Sequence, residues 1–90
     1  MGIPPEVKQI VEKQMEVMIE QTKAYLPFIK LAFPGVKDLS EPCYALIVGN
    51  VLPIFVTQYA MRMKYPQEQD FVEFGEIAQK YKEKVKLMFQ

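Results

Sequence analysis

One thiol, a row of three carboxylates and two amides are the side chains in this 90-residue sequence whose chemistry invites a site. Cys43 follows Ser40-Glu41-Pro42, which reads as the start of a helix with Ser40 as its N-cap. A thiol in a first turn feels the helix dipole, which lowers its pKa and favours attack. A cysteine nucleophile also needs a base, and the sequence has no histidine to supply one. Cys43 therefore reads as a small buried hydrophobe, and no catalytic residue is expected.

Glu12, Glu16 and Glu20 recur every four residues and so share one helix face. Carboxylate metal sites in bundles draw on several helices and add histidine. The row reads as a solvated face, with neither a metal nor a cofactor expected. Asn50 and Gln58 stand in an uncharged run from Pro42 to Met61. Asn50 and Pro53 form a candidate polar site: the amides either orient a ligand at a proline kink or bond the backbone carbonyl that Pro53 leaves free. One of them also suits fixing register between two chains. Met15, Met18, Met61, Met63 and Met88 read as core packing in preference to an adaptable binding surface. Lys80, Lys82, Lys84 and Lys86 alternate around a helix, which fits a solvated end better than a phosphate or acidic-lipid surface.

The totals narrow the function classes. Eleven acids balance eleven bases, and all the bases but Arg62 are lysine. A nucleic-acid surface needs a basic excess and usually guanidinium forks, so no nucleic acid is expected. A single cysteine permits no internal disulfide and fits a reducing, cytoplasmic setting. The opening Met1-Gly2-Ile3-Pro4-Pro5-Glu6 lacks a basic stretch followed by an apolar core, so no secretory signal is expected. Glu6 occupies the position where an N-myristoylation motif requires Ser or Thr.

The elements that position these residues are helices. Pro4-Pro5-Glu6 is a helix start, and Val11, Met15, Met18, Thr22 and Tyr25 follow at spacings of four and three. Pro27 turns Leu26 away from helical angles, so the first helix is expected to end or kink near Tyr25, with a short helical piece from Pro27 to Phe33. The second runs over 41–64, where Pro53 should kink it by crowding the carbonyl of Gly49. In the third, over 67–89, Phe71, Phe74, Ala78, Tyr81, Val85 and Met88 form a narrow seam. Acids early and lysines late match its dipole. The result is one all-α domain over 1–90: a small bundle of three long helices plus one short segment.

Such a bundle cannot cover its middle helix. Tyr44, Leu46, Ile47, Val48, Val51, Leu52, Ile54, Phe55, Val56, Tyr59 and Met61 cannot all share one face of it. Two amphipathic helices shield only part of that surface, so a homo-oligomer, first of all a dimer, is expected. Ile47, Val51, Ile54 and Gln58 fall on one stripe and form the candidate self-association interface. The uncharged run is long enough to span a bilayer. Its aliphatic residues and Phe55 contribute about −2.5 to −5 kcal/mol toward insertion, and Asn50, Pro53, Thr57 and Gln58 oppose it, so no membrane partner is expected. The functional expectation is a non-catalytic protein-interaction module: a scaffold, adaptor or small regulator. The alternative is a binding protein for an apolar small molecule or lipid, held beside the kinked middle helix.

Overall fold

A computed structural model describes residues 2–89; Met1, at the start of the failed acylation motif, and the last residue of the 1–90 domain lie outside it. Four helices follow one another: α1 (Pro5–Ala32), α2 (Ser40–Met61), α3 (Glu68–Gln79) and α4 (Lys82–Leu87), and the described residues contain no strand. The bundle is elongated, 43 × 19 × 18 Å, about the length of α1 itself at the helical rise per residue.

α1 starts as its prolines dictate, with Pro5 in the first turn and Glu6 beside the positive end of the dipole. It does not stop near Tyr25: it continues through Pro27 to Ala32 as one helix. Pro27 is exposed, so the carbonyl of Lys23, which loses its i+4 partner, faces an environment where water can serve it. The separate Pro27–Phe33 piece is thus the last part of α1. The fourth helical segment lies instead at the C-terminal end. There the expected third long helix is interrupted at Lys80 and Tyr81, whose N–H groups donate to Ile77 and Ala78 three residues back. These tightened bonds bend the chain so that Tyr81 and Val85 both reach the core.

α2 begins one residue earlier than a Ser40 cap would require. Leu39 occupies the cap position, and the Asp38 carboxylate holds the first turn, accepting from Ser40 N–H (2.9 Å) and Ser40 Oγ–H (2.6 Å). These two bonds, the hydroxyl first, keep the Asp38 carboxyl below its ordinary pKa. The helix passes through Pro53 unbroken and ends on a reversal in which Met63 N–H and Lys64 N–H donate to Ala60 and Tyr59. Asp70 Oδ2 then accepts from Gln67 N–H (2.8 Å) and fixes the start of α3.

The core follows an i,i+4 rhythm. Val7, Val11, Met15 and Ile19 of α1 meet Cys43, Ile47, Val51, Phe55 and Tyr59 of α2, and Phe74, Ile77, Ala78, Tyr81 and Val85 close the third side. Phe55 is the hub, fully buried, with its ring 4.9–5.7 Å from those of Tyr59, Phe71 and Phe74.

Candidate interaction surface

The groups with chemistry are mostly spent on packing. Cys43 is buried on the core side of α2, and desolvation raises its thiol pKa, opposite to the activation a first-turn position would give. Glu16 reaches Lys84 (3.8 Å) and Glu20 reaches Lys23 (3.3 Å), ion pairs on exposed side chains. Among the described residues no three potential ligands gather for a metal. Tyr59 is the most perturbed acid. Burial first, then the neighbouring Asp70 carboxylate, pushes its phenol to about 12.

The amides have local partners. Asn50 Nδ2 donates to the carbonyl of Leu46 (2.8 Å), its own i−4 carbonyl, and not to that of Gly49, which Pro53 frees. Gln58 offers both its main-chain oxygen and Oε1 to Arg62 Nη1, at 2.9 Å each. Arg62 also stands 3.6 Å from Glu6, so Arg62, held by Gln58, ties the end of α2 to the start of α1. Asn50 and Pro53 are both exposed. Asn50 lines a groove of about 300 Å³ between α1 and α2, together with Met18, Tyr25, Ile29, Leu46 and Ile47.

The stripe of Ile47, Val51, Ile54 and Gln58 is not a free face. Ile47 and Val51 lie inside the chain's own core, because α1 packs along that side of α2, while Ile54 and Gln58 are half-buried. The free face is the opposite one. Pro42, Ala45, Leu46, Gly49, Asn50 and Pro53, followed by Thr57, Ala60 and Met61, are exposed, and none carries a charge. Only 28% of the most apolar stretch of α2 is buried within the chain, and by length and composition alone the helix could cross a membrane. The sequence shows the apolar excess of α2 but not which side keeps it, since apolar residues in every direction hide the register.

Gly49 adds a separate observation. It sits in mid-helix, and a Cβ built on it would meet nothing within 4 Å. Glycine there costs about 0.5–1 kcal/mol relative to alanine, and no neighbour within the chain requires it.

The last turns of α1 and the following loop also expose Tyr25, Phe28, Leu31, Phe33 and Val36. At the same end Lys30, Lys37 and Lys86, from three different segments, line one groove of about 610 Å³. No protein-family model matches the chain, and no curated protein or solved structure is significantly similar to it.

Proposed function

We propose that this chain is a non-catalytic helical interaction module that associates with a second copy of itself through the outward face of α2. The observation that carries this reading is the uncharged, exposed side of α2 centred on Gly49 and Pro53. A helix facing water along its whole length ordinarily carries charge on that side. An uncharged strip of mostly small and apolar residues is suited to a partner instead, and a glycine without a local reason allows a second helix to approach closely. A two-fold pair would bring the same strip from both copies together. The buried, unactivated thiol and the absence of histidine support a role without catalysis.

Sedimentation of wild type and Gly49→Trp tests the reading. The glycine faces open space in the single chain, so the variant should retain its helical spectrum and core. It should sediment as a monomer where the wild type is a dimer, and only the wild type should melt at temperatures that rise with concentration. A wild type that remains monomeric at high micromolar concentration would remove the basis for the proposal.

The groove lined by Met18, Tyr25, Ile29 and Leu46 favours a second reading, an apolar small-molecule site. A ligand retained through purification and seen by native mass spectrometry on a monomeric chain would select it.

A further inference from the structure

The end of the molecule formed by the last turns of α1, the 33–39 loop and the end of α4 combines two features that the sequence scatters. The first is apolar. Phe28 is 66% exposed and Leu31 77%, and Tyr25, Phe33 and Val36 are exposed around them. Tyr25, Phe28 and Leu31 follow at three-residue steps, each displaced by about 60° around the helix. Phe33 and Val36 continue past the helix end into the loop. The apolar groups therefore wrap a tip instead of lining a stripe.

The second feature is charge. Lys30, Lys37 and Lys86 line a shared groove, and among the described residues none of them makes a close ion pair. Asp38 lies in the same groove near Lys86, and its carboxylate, kept ionised by the Ser40 bonds, offsets one of the three lysines. Glu41, close by in sequence, is paired with Lys82 at 3.1 Å. The groove retains a positive excess.

We infer that this tip docks end-on to an anionic lipid surface, with Phe28 and Leu31 entering the headgroup boundary and the three lysines contacting acidic headgroups. A protein groove would accept one apolar stripe, whereas a bilayer interface accepts apolar groups from several directions. Lysines around exposed aromatic and aliphatic residues are the composition such an interface selects. Long lysine stems bury their methylenes while the ammonium groups remain at headgroup level. The contact is peripheral and involves no crossing by α2. It adjoins the α2 face at Tyr25, which shares a groove with Leu46 and Asn50, but Phe28, Leu31 and the three lysines lie outside that groove.

Co-sedimentation with vesicles tests the inference, using phosphatidylcholine alone and phosphatidylcholine containing phosphatidylserine. Wild type should pellet with the anionic vesicles only, and added salt should release it. Lys30→Gln, Lys37→Gln and Lys86→Gln should each weaken binding about fivefold. Phe28→Ser with Leu31→Ser should abolish it with the helical spectrum unchanged. Lys13→Gln, elsewhere on α1, should bind like wild type. The chain has no tryptophan, so Phe28→Trp provides a clean probe whose emission should shift to the blue on anionic vesicles. No binding, equal binding to both vesicle types, or tip variants that bind like wild type would overturn the inference. Binding of an acidic protein without binding to anionic vesicles would overturn it in favour of a protein partner.

Discussion

The two halves of α1 experience different environments. Between Val7 and Ile19 every fourth residue is buried, while from Glu20 to Ala32 no residue is, and Thr22, Leu26 and Ile29 reach the bundle only partly. The first half meets the Phe55 cluster, which joins α2 to α3. The second half runs beside the start of α2 and exposes aromatic and aliphatic side chains on its remaining sides. A helix maintained by its own domain buries its apolar residues there. The apolar residues left outside on this intact helix are the ground on which the membrane contact is proposed, as the uncharged outer side of α2 is for the pairing of chains.

The sharpest way to break this comparison is to remove equal amounts of side chain from each half of the bundle. Phe55→Ala empties the hub and should cost about 3–5 kcal/mol, a large share of the stability of so small a domain. Phe28→Ala removes the same atoms from an exposed position and should stay within about 0.5 kcal/mol. Urea denaturation followed by circular dichroism measures both. Comparable losses would mean that the far end of α1 is packed after all. Val51→Asp belongs with Phe55→Ala: Val51 is fully buried within the chain, so a charge there should unfold the monomer and would say nothing about association.

The same division governs how far the sequence can be read. Helix starts were legible because prolines and acids act locally, and the seam through Val11 and Met15 and the one through Phe74, Tyr81 and Val85 both fall in the core. The continuation of the first seam to Tyr25 does not, since the buried row advances by fours through Ile19 and Tyr25 turns outward. A rule based on spacing cannot choose between these registers when Met18 and Ile19 are both apolar. Pro27 does not end the helix for a related reason: proline's cost in a helix depends in part on whether the freed carbonyl can be hydrated, and only the packing decides that. In α2 the expected interface fell on Ile47 and Val51, because apolar residues on all sides leave no polar face to orient the helix. The tip was invisible, as Lys30, Lys37 and Lys86 are brought together only by the fold.

A gentler test uses alkali. The Tyr59 phenol titrates near 12 when folded, against an ordinary 10. Its neutral form is the one the folded state favours, so its contribution is complete below about pH 10 and is lost as pH rises through about 12. Tyr59→Phe cannot ionise and should lose less stability than wild type across that window. Burial also raises Tyr44 and Tyr81, so the slope should decrease without vanishing. Identical alkaline melting of variant and wild type would show that Tyr59 is more hydrated than the packed end of the bundle allows.

The smallest effects come from the two turns, one at each end. At the α2–α3 turn Met63 adopts φ 57°, the left-handed region that glycine occupies without strain, and the residue is 96% exposed. At the α1–α2 turn Gly35 has no positive φ, and a Cβ there would meet nothing within 4 Å. Each turn therefore holds the residue that would suit the other. Met63→Gly should relieve the strain of the left-handed backbone, offset in part by greater freedom in the unfolded chain, for a net gain of about 0.5–1 kcal/mol. Gly35→Ala should gain about 0.4–1 kcal/mol by reducing unfolded-state entropy. Thermal melts of the two variants separate the ends: the α2–α3 turn closes the packed core, so its gain should appear in the global transition. At the α1–α2 turn the surrounding residues are mostly exposed, so part of the gain should appear only as slower amide exchange in the last turns of α1. Equal shifts in both global melts would show that the exposed end unfolds together with the core, and the contrast between the two halves of α1 would then concern surface chemistry alone.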